Sequence, residues 1–183
     1  MKELSLNILD VAENSVKAGA SLTEILLDET DSTLIITIRD NGCGMSEDAV
    51  KSVVDPFYTT RTTRKVGLGV PLLKMAAEQT DGSFSVKSSE KEENHGTTVT
   101  AEFNKNHIDF TPLGDVVSTI TTLIQGHPDT DFYFSHKKGE CVVSLDTREI
   151  RQVLEGVPLN SYEVIKWIEE YLKEQYSENL LNK

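Results

Sequence analysis

The chain has 183 residues, 38% of them hydrophobic and 26% charged, which is enough for one buried core or one domain with a small appendage. Its formal net charge of -12 and pI near 4.7 exclude general nucleic-acid binding, which needs a basic face to displace counterions. No run approaches the roughly eighteen apolar residues of a membrane span, Asp10 and Glu13 interrupt any signal-like stretch, and Cys43, Cys141 and four scattered histidines have no metal spacing, so a reduced, cytoplasmic protein is expected.

Residues 3–18 place Leu4, Ile8, Val11, Ser15 and Ala18 at helical spacing, with Leu6, Leu9 and Ala12 widening the face and Gly19 where a C-cap glycine would stand. Strands are expected from Thr23 to Asp28 and from Thr33 to Arg39, with a turn at Asp31-Ser32. The second strand runs into Asp40-Asn41-Gly42-Cys43-Gly44-Met45, a backbone turning sharply. Ser46 is placed as an N-cap, with Glu47 and Asp48 in the first turn of a short helix. A polar, basic run from Asp55 to Lys65 reads as a loop, and Gly67-Leu68-Gly69 opens a helix through Gln79. A hairpin follows, Ser83 to Ser88 and Thr97 to Phe103 around the charged loop Glu90 to Asn94. A boundary is expected at residues 105–110, dividing residues 1–104 from a C-terminal extension, 105–183. The extension reads as a helix from Leu113 to Gln125, a hairpin around Lys138-Gly139, a helix near Arg148 to Glu155, and a last helix from Ser161 to about Tyr176. It is expected to extend the sheet or pack on it rather than form a separate module.

Asp10 and Asn14 lie four apart on one helix face, with Lys17 three further along. Such an oxygen-rich face can bind Mg²⁺, which prefers hard oxygen ligands. Asp40, at a strand end beside a glycine turn, can aim its carboxylate into a pocket left open by absent side chains. Gly67 and Gly69 before a helix offer bare N–H groups to a phosphate, and Arg61, Arg64 and Lys65 stand just upstream to neutralise it. Taken singly, each has a plainer reading: solvated helix residues, a simple turn, a solvated loop. Order and spacing together carry the argument.

In that order the motifs resemble those of the GHKL superfamily, named for gyrase, the heat-shock chaperone, histidine kinases and the mismatch-repair ATPase. Residues 10–20 look like its N box, Asp40 to Met45 like its first glycine box, Asp55 to Arg61 like the F box and lid of sensor histidine kinases, Gly67 to Val70 like its second glycine box, and Gly96 to Val99 like its terminal Gly-Thr element. The resemblance covers roughly residues 4–103 and is closest to histidine kinases. It implies an α+β Bergerat fold: a two-layer sandwich whose mixed, mainly antiparallel sheet is covered on one face by helices. It also implies ATP and Mg²⁺. Asn14 would be the metal ligand, and Asp40 would accept from the adenine amino group, aided by Thr97. Gly42, Gly44 and Met45 would shape the adenine pocket. Lys17 would stand near the phosphates, Thr60 and Arg61 in the lid, and Gly67, Leu68 and Gly69 would wrap the phosphates, while Phe57 would anchor the lid hinge.

Asp10 occupies the place that a catalytic glutamate holds in the members that hydrolyse ATP. It is one methylene shorter, and a general base must come within about 2.6–3.2 Å of its proton. No histidine precedes His95, and no dimerising hairpin or sensor region is present in the sequence, so a complete sensor kinase is not expected. The expectation is a cytoplasmic regulatory ATP-binding protein that phosphorylates a protein partner. The alternatives are an ATP-gated binding module without turnover and a slow ATPase of the mismatch-repair or chaperone kind.

Overall fold

A computed structural model describes residues 3–55 and 68–179. The elements, in chain order, are α1 (Leu4–Lys17), β1 (Leu22–Glu29), β2 (Thr33–Asp40), α2 (Glu47–Val54), α3 (Gly69–Glu78), β3 (Ser83–Ser89), β4 (Gly96–Asn104), α4 (Val116–Gly126), β5 (Asp131–Lys138), β6 (Cys141–Asp146), α5 (Thr147–Leu154) and α6 (Tyr162–Asn179). The strands form one sheet in the order β3-β4-β2-β1-β5-β6. All neighbours are antiparallel except β1 and β5, which run parallel. The fold is therefore α+β with a mixed sheet.

The strands alternate strictly. Ile25 and Leu27 of β1, Leu34, Ile36 and Ile38 of β2, Val99, Ala101 and Phe103 of β4, and Phe132 and Phe134 of β5 are buried on one face. Ile8, Leu73, Ile120 and Ile168 come down on that face from α1, α3, α4 and α6. Polar residues such as Thr37, Arg39, Thr100 and Lys137 occupy the opposite face. Asp40 shares the parity of Ile36 and Ile38. The strand therefore delivers its carboxylate to the helix-covered side, where the apolar run ends.

The sheet continues through residue 104 into the C-terminal segment, since β5 lies against β1. That segment also completes α1. The first N–H groups of a helix lack internal partners, and here Leu4 and Ser5 donate to the carbonyls of Pro112 and Leu113 at 2.9 and 2.8 Å. This use of residues 112–113 delays the next helix. It begins at Val116 rather than at Leu113, after Gly114 at φ 79°, with the Asp115 carboxylate capping the N–H of Ser118 at 2.9 Å.

A buried polar cluster ties β1, β5 and α6 together. His136 is 3% exposed; its Nε2 lies 2.9 Å from Glu29 and its Nδ1 2.9 Å from the Tyr176 hydroxyl. A neutral imidazole serves both, because Nε2–H donates to the carboxylate and Nδ1 accepts from the phenol. Lys105 and Lys138 also reach Glu29, at 2.6 and 3.7 Å. Burial holds the His136 pKa below its ordinary 6.5, against the pull of Glu29. Burial also raises the Glu29 carboxyl, but the hydrogen bonds from Lys105 and His136 leave it below the ordinary carboxylate value.

The unfolded chain thus takes up a proton at His136 at a higher pH than the folded one does. Stability is full above pH 6.5 and falls as the pH drops from there toward the lower folded value, with a further loss through Glu29 below its ordinary 4.5. Urea unfolding between pH 7.5 and 5.5 should show the midpoint falling. His136→Gln should flatten that fall by up to about 1.4 kcal/mol per pH unit, the limit for one proton. An unchanged slope in the variant would contradict this assignment.

Candidate functional site

The candidate site is a cavity of about 160 Å³ between α1, the end of β2 and the β3–β4 hairpin. Its walls are apolar, with Val11 and Val70 from the helices and Ile38, Val86 and Val99 from the strands. Asn14, Ser15, Asp40 and Thr97 supply its polar lining.

Asp40 is held by three donors. Its Oδ1 accepts the Gly42 N–H at 2.9 Å and the Thr97 N–H at 3.2 Å, and its Oδ2 accepts the Ser15 hydroxyl at 2.7 Å. A carboxylate has about four acceptor positions, so one remains on Oδ2. An apolar cavity ending in one preoriented anionic acceptor suits a planar ring that carries an amino donor.

The first glycine turn is fixed from the far side. Ser88 Oγ accepts the Met45 N–H at 2.8 Å, donates to the Gly96 carbonyl at 3.0 Å, and lies 2.8 Å from Thr97 Oγ1. Gly44 must be glycine twice over. Its φ is 74°, and a Cβ there would stand 1.9 Å from the Ser89 carbonyl oxygen. Asn41 pins the turn to β1 by accepting the N–H groups of Ser21 and Leu22 at 2.9 and 3.0 Å.

Five sequence-predicted residues line this cavity: Asn14, Asp40, Gly44, Met45 and Thr97. Gly42 does not line it but is buried behind Asp40 and bonds to it. Asp10 is exposed, one turn from Asn14 on α1. Gly69 packs onto it so closely that a Cβ would lie 2.6 Å from that of Asp10, which sets the start of α3 against the carboxylate-bearing turn. Leu68 is the exposed residue before α3. Lys17 is exposed on the last turn of α1 and does not line the cavity. Thr60, Arg61, Gly67 and Phe57 lie outside the described residues.

Two polar residues escaped the sequence reading as site residues. Ser15 falls on the apolar face of α1, and a hydroxyl on a core face is itself a signal of a buried partner. Ser88 faces Thr97 across the hairpin and gives no local cue.

The residues fit a divalent ion only in company. Among the described residues no group of three His, Cys, Asp or Glu side chains can hold a metal. Asn14 offers a single amide oxygen. Mg²⁺ is commonly held in this way, by one or two protein oxygens together with water and ligand phosphates. Among the described residues no helix is long and apolar enough to cross a membrane.

The sequence model described as "Histidine kinase-, DNA gyrase B-, and HSP90-like ATPase" matches residues 2–107. The sensor protein SrrB of Staphylococcus aureus (strain NCTC 8325 / PS 47) is 34% identical over 93 residues, which cover 48% of this chain and 16% of that protein. The chain thus spans about a sixth of the length of that relative. The Aquifex aeolicus MutL ATPase domain complexed with ADP has a similar fold, with a TM-score of 0.56 at 15% identity over 85% of this chain and 70% of that one. The N-terminal domain of a DNA repair protein superposes with a TM-score of 0.53 at 15% identity, covering 80% of this chain and 52% of that one.

Proposed function

Because the chain belongs to the family of histidine kinase-, DNA gyrase B- and HSP90-like ATPases, we propose that it binds Mg-ATP and uses it, as a cytoplasmic regulatory kinase, to phosphorylate a protein partner. The observation that carries the nucleotide is Asp40. Its carboxylate has one open acceptor position at the end of a slot of about 160 Å³ walled by valines and Ile38. In this reading adenine fills the slot, its amino group donates to Oδ2, and Thr97 orients the ring edge. The slot holds a base and little more, so the phosphates extend past Asn14 toward the start of α3.

Asn14 would hold the Mg²⁺, which neutralises phosphate charge. Gly69, backed onto Asp10, sets helix N–H groups near the place where phosphates would lie. Lys17, Thr60, Arg61, Gly67 and Leu68 belong to the same reading as lid and phosphate residues. Phosphoryl transfer depends on positioning and charge more than on covalent help. Asp10 is exposed, so an incoming hydroxyl can reach it; its carboxylate would accept the hydroxyl proton as the partner oxygen bonds to the γ-phosphorus and the bond to the β-phosphate oxygen breaks, releasing ADP.

A second reading keeps ATP and drops turnover: nucleotide binding changes a partner surface. The short arm of Asp10 favours it. The two readings part on one experiment, incubation with γ-labelled ATP and the co-purifying proteins, followed by mass spectrometry. Phosphorylation should appear on a partner and fall at least 100-fold in both Asn14→Ala and Asp10→Asn. Asp10→Asn should still bind ATP, because Asp10 lies outside the base slot. ATP binding without any labelled protein would leave the gated module as the function.

A further inference from the structure

The residues beyond the family segment build a second, larger concavity. A groove of about 750 Å³ runs between α5 and α6 along the β6 edge of the sheet. α6 is fixed there by Gln175, whose side-chain amide accepts the Ser144 N–H at 3.2 Å and donates to the Ser144 carbonyl at 2.9 Å. That pair of bonds covers the outer edge of β6, a position otherwise open to another strand. The groove beside it is left uncovered.

Its walls are apolar where solvent-facing helices are usually polar. Ile150, Val153 and Leu154 form one stripe on α5, yet Thr147 is the only buried residue of that helix, and Val153 is 82% exposed. Opposite them on α6, Trp167 is 50% exposed and stacks on Tyr171, with ring centroids 5.1 Å apart and planes at 11°. The charge is one-sided. Asp146, Glu149 and Glu163 line the groove, and among the described residues no lysine or arginine does. Arg148 neutralises Asp146 and Arg151 is committed to Asp131 outside the groove, each at 2.7 Å, which leaves the charges of Glu149 and Glu163.

We propose that this groove docks an amphipathic helix of a protein partner, seating apolar side chains at i, i+3 and i+4 against Ile150, Val153 and Trp167 and setting arginines or lysines against Glu149 and Glu163. The volume takes several side chains, not one. Two facing helices form a channel that a third helix fills by ridge-into-groove packing. The exposed indole–phenol stack offers an arginine a π face. A second copy of this chain is the wrong occupant, because each copy carries a net charge of -12 and would bring mainly acids to an acidic groove. The inference stands apart from the nucleotide reading, since it uses no residue of that cavity.

Trp167 is the only tryptophan of the chain and so reports the groove directly. The full chain would be panned against a displayed library of random helical peptides, and the enriched sequences synthesised. The expected winners carry apolar residues at i, i+3, i+4 and i+7 flanked by Arg or Lys, and shift Trp167 emission to the blue. Val153→Asp should weaken them at least 10-fold, and so should the charge reversal Glu149→Lys with Glu163→Lys. ATP titration of the same variants should be unchanged and serves as the check that they fold. The proposal is overturned if no sequence is enriched, if the winners are neutral or acidic, or if their binding ignores both sets of substitutions. Sedimentation showing a dimer of this chain that Val153→Asp dissociates would equally overturn it.

Discussion

Asp40→Asn should weaken ATP binding about 10- to 150-fold while leaving the fold intact. Asparagine keeps the shape, and its carbonyl can take the place of Oδ1, still accepting from the N–H groups of Gly42 and Thr97. The amide nitrogen then replaces Oδ2. Ser15 can tolerate that exchange, because its hydroxyl can rotate to accept. The adenine amino group cannot, because it would face another donor. The lost charge-assisted hydrogen bond is worth about 1.5–3 kcal/mol, with each 1.4 kcal/mol a factor of ten. Calorimetric titration with Mg²⁺ and ATP measures the loss, and an unchanged urea midpoint separates it from unfolding. Equal affinity in the variant and the parent would remove Asp40 from the nucleotide site.

Gly44→Ala should damage both the nucleotide site and the fold. At φ 74° an alanine is strained by roughly 1–2 kcal/mol. The larger problem is that its Cβ would sit 1.9 Å from the Ser89 carbonyl oxygen and 2.5 Å from the Ser89 carbonyl carbon. Backbone on both sides must move, and with it the Met45 N–H that Ser88 holds at 2.8 Å. The cavity loses the wall formed by Gly44 and Met45. Stability should fall by roughly 2–4 kcal/mol, in the upper part of the range for single substitutions. ATP affinity should fall below detection by calorimetry. Urea unfolding and titration on the same preparation check both parts, and a variant with parental stability would mean that this loop yields at no cost.

The sequence made the nucleotide half of the molecule legible because its signals are local. Alternation in Leu34, Ile36 and Ile38, the N-cap at Ser46 and the glycine pairs each follow from a few neighbouring residues. The C-terminal elements were also readable one by one, but not their pairing. Nothing in the local pattern of Phe132 and Phe134 says that their strand runs parallel to β1. The start of α4 was misplaced for a related reason. The carbonyls of Pro112 and Leu113 serve the N-terminus of α1, a partner more than a hundred residues away. In the site, Asp40 and Asn14 stand in recognisable motifs. Ser15 and Ser88 do not, since their work is to orient a carboxylate and a loop across the hairpin and the helix. Lys17, expected near the phosphates rather than the base, is exposed on the last turn of α1 and does not line the base cavity.

The central claim is that Asp40 reads the amino group of a purine. Parallel calorimetric titrations of the parent chain with ATP and with inosine triphosphate, in Mg²⁺, test it most directly, because the second nucleotide replaces that amino group with an oxygen. The account predicts that inosine triphosphate binds at least 10-fold more weakly and that Asp40→Asn abolishes the difference. Equal affinity of the parent for the two nucleotides would contradict it.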